Sequence, residues 1–112
     1  MVDDKFRIIS EDVPGREVSL CHLIANPDIK LTEMLGLQKT AFAILSVTPS
    51  EVAYIAADRI TKMAPVELVF ADRYLGTLMV AGQVSALETV LEETVSFLHI
   101  TLGIEIVPIT RS

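Results

Sequence analysis

Four sets of side chains in this 112-residue chain could in principle do chemistry: Cys21 with His22 and His99, the adjacent Glu92 and Glu93, the pair Asp58 and Lys62, and the serines Ser19, Ser46 and Ser50. A zinc site needs four spaced ligands, and one cysteine with two histidines gives no such spacing. Cys21 therefore reads as a buried thiol beside a strand histidine. His22 alternates with Val18, Leu20 and Ile24, which puts it on an apolar strand face as a satisfied core or interface residue. Acid–base catalysis wants titratable groups whose environments separate their pKa values. Glu92 and Glu93 are neighbours in sequence and point to different sides of a helix, so both read as solvated. Asp58 precedes Lys62 by one turn, the favourable order for a surface ion pair, and nothing nearby promises the desolvation a catalytic lysine needs. The serines lack a G-x-S-x-G context, and neither a P-loop nor G-x-G-x-x-G occurs. No catalytic residue, cofactor or metal is expected.

The elements that must position these residues are short and apolar. Residues 6–12, FRIISED, alternate weakly before the turn pair Pro14-Gly15. EVSLCHLIA, 17–25, is strand-like on both faces, as expected inside a sheet. Asn26-Pro27 opens a helix over 28–35, with Leu31, Met34 and Leu35 on its apolar side and Gly36 at its end. AFAILSV, 41–47, is a second strand, and Thr48-Pro49-Ser50-Glu51 has the offsets of a capping box for a helix over 49–63. Its apolar stripe is Val52, Ile55, Ala56, Ile60 and Met63. Strands at 66–71 and 77–82 flank the connection DRYLG, and Ser85-x-x-Glu88 opens a helix to about His99 with the stripe Leu87, Val90, Leu91, Val95 and Leu98. IEIVPI, 104–109, reads as a terminal edge strand because Pro108 lacks an N–H. This order predicts an α+β sandwich, with helices on one face of a shared sheet.

Length suggests one domain, with residues 1–16 as an N-terminal strand and turn and 17–112 as the sandwich and tail. A hydrophobic content of 51%, without any run of the ~18 apolar residues that span a bilayer, predicts burial against copies of the same chain. The net charge of −6 disfavours nucleic-acid binding. The acidic start MVDDKF has no signal-peptide pattern, and a single cysteine suits a reducing cytosol.

One helix poses a question of its own. TPSEVAYIAADRITKMAPVEL, 48–68, carries alanines at 53, 56, 57 and 64 where leucine would guard a core, and it ends in Asp58 and Lys62. Together with VPGREVSLCHLIANP, DRYLGTLMVAGQVSALE and the closing ITRS, this stretch resembles the circularly permuted BMC-domain shell proteins of bacterial microcompartments. These are of the ethanolamine- and propanediol-utilisation type, and choline-degrading compartments have similar members. The resemblance runs from about Arg7 to Ser112. It implies a cytoplasmic, non-enzymatic shell tile, a homohexamer meeting other shell proteins and the enclosed enzymes, with no membrane or nucleic-acid partner.

Under that resemblance the permutation brings the last strand and helix to the front, here about 17–35. The axial strand Phe6, Arg7, Ile8, Ile9, Ser10, Glu11 and Asp12 forms a small β-barrel with its symmetry mates. The loop Asp72, Arg73, Tyr74, Leu75 and Gly76 matches the one lining the pore in unpermuted relatives. Asp58 and Lys62 match the hexamer edge, and Asn26 and Pro27 match a second edge motif by the proline alone. The chain departs from the family at Ala41-Phe42-Ala43, where a glycine is frequent, and at Arg59, where a smaller residue is usual. A small-molecule-sensing regulatory oligomer is the alternative, since fold alone does not decide function.

Overall fold

The computed structural model describes residues 16–38 and 40–112. In chain order these form β1 (Glu17–Ile24), α1 (Ile29–Met34), β2 (Ala41–Thr48), α2 (Val52–Met63), β3 (Glu67–Asp72), β4 (Thr77–Gly82), α3 (Val84–Leu102) and β5 (Thr110–Arg111). The strands make one five-stranded sheet in the order β3-β4-β2-β1-β5. Its β1–β2, β2–β4 and β3–β4 pairs are antiparallel, and β1–β5 is parallel. The expected strand at 6–12 and the Pro14-Gly15 turn lie outside the described residues.

Two apolar clusters cover the two faces of the sheet. Ala43, Leu45, Val47, Leu78 and Val80 point into the larger one, under α2 and α3. Their neighbours Phe42, Met79 and Ala81 point the other way and are covered by Leu31, Leu35 and Leu37. This alternation is the period of two expected of a sheet buried on both sides. The expectation of helices on one face holds for α2 and α3 only, since α1 packs on the opposite face.

Strand β1 corrects the sequence reading of its faces. The ladder with β2 shifts between Val18 and Leu20, so Ser19 is an extra residue. Val18 consequently shares the core face with Cys21 and Leu23, all at most 1% exposed, instead of lining up with Leu20, His22 and Ile24.

Three caps differ from the sequence reading. Asp28, not Asn26, caps α1: its Oδ1 accepts the Lys30 N–H at 2.8 Å. So short a helix buries Thr32 and leaves Met34 77% exposed, because the i,i+4 pair Leu31 and Leu35 already fills its contact with the sheet. Helix α2 starts at Val52 with no side-chain cap; its first N–H groups reach Pro49, Ser50 and Glu51 carbonyls at 3.0–3.1 Å, a tight i,i+3 turn. Helix α3 starts at Val84, so Ser85 lies inside it and Gln83 precedes it in extended conformation.

The stripe of α2 is also revised. Val52, Ala53, Ala56, Ala57 and Ile60 are buried, while Ile55 is 42% exposed. Alanines at 53, 56 and 57 bring the helix axis close to the sheet and to α3, which answers why this face is small. The expected α3 stripe is buried in full, with Thr94 added. At its end Gly103 takes φ 67°, and Ile104 N–H reaches back to Leu98 O at 3.1 Å, a glycine-terminated cap that only a residue without a β-carbon adopts freely.

The tail from Ile104 onward runs parallel to β1. It touches β1 by a bridge at Glu105 and again at Thr110–Arg111, so the expected strand at 104–109 is broken. Pro108 lies between the two attachments and has no N–H to continue the ladder.

Candidate assembly surfaces

The described residues that sequence reasoning assigned to the hexamer edge or to the pore lie in three parts of the fold. On α2, Lys62 Nζ stands 3.0 Å from Asp58 Oδ2, with the side chains 72% and 63% exposed. An ion pair so exposed contributes a few tenths of a kcal/mol at most, and the ammonium has two donors left for another partner. Where β1 ends, Asn26 is exposed and Pro27 buried.

The third part is the β3–β4 hairpin tip. Asp72 Oδ1 accepts the N–H groups of Tyr74 at 2.8 Å and Leu75 at 3.3 Å. Gly76 N–H closes the turn onto Asp72 O at 2.8 Å, and Gly76 O accepts from Val47 N at 2.7 Å. The bonded frame thus consists of Asp72 and Gly76 and leaves the intervening side chains outside. Tyr74 and Leu75 are more than three-quarters exposed. Arg73 donates to Tyr74 Oη at 3.0 Å, with its guanidinium 5.0 Å from the ring centroid. The assigned axial residues Phe6, Arg7, Ile8, Ile9, Ser10, Glu11 and Asp12 lie outside the described residues.

Two clusters were not foreseen. His22 has Thr110 Oγ1 2.6 Å from Nδ1 and Ser112 Oγ 2.8 Å from Nε2. Thr110 Oγ1 also lies 3.3 Å from Cys21 O, so the hydroxyl sits between the ring and the β1 backbone. The histidine is satisfied, as its type and surroundings suggested, but its partners lie 88 and 90 residues away, and no local pattern announces them. Arg111 adds an ion pair to Glu88 at 2.5 Å, so the tail is fastened to both β1 and α3. The second cluster is a groove between α2 and α3 of about 370 Å³, where the Arg59 guanidinium lies 4.2 Å over the Phe97 ring. Its residues Glu92, Glu93, Ser96 and Thr101 are solvated polar groups around that stacked pair.

Burial pushes the Cys21 thiol up to about 12, which removes the thiolate that any nucleophile or metal ligand requires. Among the described residues no group of three His, Cys, Asp or Glu side chains could hold a metal ion, and no helix is long and apolar enough to cross a membrane.

Comparison with known proteins names the class to which this sheet, with two helices on one face, belongs. The BMC domain model matches residues 41–109. The bacterial microcompartment shell protein CutR of Streptococcus intermedius is 40% identical over 95% of this chain and 92% of its own length. The shell protein PduU of Salmonella typhimurium is 44% identical over 95% of this chain and 93% of its own. Among solved structures, the CutR flat hexamer, form 1, superposes with a TM-score of 0.84 at 37% identity, covering 90% of this chain and 94% of that one. A CutR dimer with domain swap gives 0.66 at 36% identity, over 73% and 84%. This chain belongs to the BMC-domain family of bacterial microcompartment shell proteins.

Proposed function

We propose that the chain is a structural tile of a microcompartment shell in the cytoplasm, a homohexamer that packs edge to edge with itself and with other shell proteins around an enclosed enzyme set. The single observation that carries this reading is the superposition on the CutR flat hexamer over nine-tenths of the chain. The reading assigns no catalytic step, and an inert Cys21 with solvated Glu92 and Glu93 is in keeping with it.

In this proposal the domain is circularly permuted. The family model begins at residue 41, leaving β1 and α1 ahead of it, yet β1 is an interior strand flanked by β2 and the C-terminal strand. A permutation produces this arrangement, in which a strand and helix ahead of the matched segment complete the domain. Residues 6–12 then form the axial barrel strand. Asp58 with Lys62, and Asn26 with Pro27, lie at the hexamer edge. The tip from Asp72 to Gly76 faces the sixfold axis, and its rigid frame suits a pore rim.

A second mode of assembly has its own supporting observation, the likeness to the CutR dimer with domain swap. Under it, two copies of this chain also pair by exchanging a segment.

Electron microscopy of the overexpressed protein tests the tile. Sheets, strips or tubes built from six-membered rings are expected. Discrete particles whose melting point rises with small metabolites would replace the tile by a sensing module.

A further inference from the structure

We infer that β1 and α1 are the segment two copies of this chain exchange, Glu17–Met34 trading places about a hinge at residues 35–38. The inference rests on the paired mode of assembly proposed above, and not on the tile. Three features of that unit support it. The first is its content: Glu17–Met34 holds a full strand and a helix, β1 and α1, whereas the other terminal candidate, the tail after Gly103, holds only the two-residue β5.

The second is the hinge. Gly36 sits at φ +74° with nothing within 4 Å of where a β-carbon would stand, so the backbone can turn there without meeting a neighbour. Gly36, Leu37 and Gln38 border an open recess of about 500 Å³ toward Pro65, Glu67 and Gly82. The link borders open space on one side, and straightening it releases Leu37 from the smaller cluster while leaving the larger one intact. The tail has no equivalent: buried Ile104 and the Leu98 and His99 bonds fix its start.

The third is the set of contacts the unit carries. Val18, Cys21 and Leu23 bury on one face, and β1 pairs with β2 along nearly its whole length. All of these contacts are between the unit and the remaining body, so a partner's body re-forms every one of them and only the hinge differs. Exchange of an identical element is for that reason a low-cost route to a dimer. A pair tied by two crossing links has twofold symmetry, so the exchanged pair is an alternative to ring closure.

Disulfide trapping tests it in a Cys21→Ala background, with the protein refolded at high concentration and the dimer isolated by size exclusion. Leu20 and Ser46 are register partners across β1–β2, and His22 and Thr110 across β1–β5, spacings within disulfide reach. Oxidising Leu20→Cys/Ser46→Cys and, separately, His22→Cys/Thr110→Cys should give covalent dimers in both cases. An intrachain β1–β2 link beside an interchain tail link would show that the tail is the segment exchanged, which overturns the inference and leaves the paired mode standing. Intrachain links in both, or the absence of any dimer, overturn the paired mode and the inference together. A measurement without engineered cysteines stands beside it: deleting exposed Gln38 should raise the dimer share at least threefold, since short strained hinges favour exchange, and inserting Gly-Ser-Gly after Gln38 should lower it. A dimer share indifferent to link length contradicts the hinge.

Discussion

A β-carbon on Gly76 would stand 2.2 Å from the carbonyl oxygen of Val47, closer than any real contact. Gly76 also holds φ +72°, and its carbonyl accepts from Val47 N. Strand β2 and the β3–β4 tip are fastened together at this one backbone crossing.

Gly76→Ala should therefore cost about 2–3 kcal/mol, combining left-handed strain of ~1–2 kcal/mol with the loss of one hydrogen bond. Gly36→Ala has the same sign of φ but open space around it, and should cost only about 1 kcal/mol. Urea denaturation of the two variants separates steric from torsional cost; equal losses would show that the Val47 contact carries no weight.

Thr94→Val should stabilise the protein by about 1 kcal/mol. Thr94 is 0% exposed on α3, and its Oγ1 has no hydrogen-bond partner, so the hydroxyl is desolvated without return. Valine keeps the shape. A loss of stability in thermal or urea melts would mean that the hydroxyl has a partner in the assembled protein.

Alkaline pH should weaken the fold through Cys21. Its folded pKa is raised by burial from 9.0 to about 12, so its contribution is complete below the unfolded value and fades as pH rises through that window. Relative to Cys21→Ala, the native chain should lose about 1.4 kcal/mol between pH 8 and 10. A pH-independent difference between the two proteins contradicts the burial argument, as does rapid thiol labelling of the folded chain at pH 8.

Lys62→Ala should leave the melting point within a degree or two and yet reduce arrays. The exposed Asp58–Lys62 pair contributes at most a few tenths of a kcal/mol within the chain. A seam contact of ~1 kcal/mol repeated along every edge is another matter. Imaging at matched concentration, with thermal melts alongside, reads both quantities. Undiminished arrays would remove Lys62 from the edge.

Much of this architecture was legible because long periodic segments announce themselves. The α3 stripe and the β3–β4 hairpin came from spacing alone. The hidden features depended on single-residue events or distant partners. The extra residue at Ser19 turned Val18 to the other face, and a bulge has no signature in a run apolar on both sides. Ile55 matched a helical stripe but lies outside it, because the alanines at 53 and 57 let the helix roll toward α3. The grip of His22 on Thr110 and Ser112 joins β1 to the C-terminal tail, beyond any local pattern. The roles proposed for Asp58, Lys62 and Asp72 to Gly76 come from the resemblance, since exposed side chains take their role from a neighbour the sequence does not contain.

The most direct test of the central claim is native mass spectrometry of the full chain at micromolar concentration. The chain mass is 12.3 kDa, and the species expected to dominate is the six-chain complex at six times that mass, persisting on dilution. A stable species at 12.3 kDa, with no six-chain complex at any concentration, would contradict it.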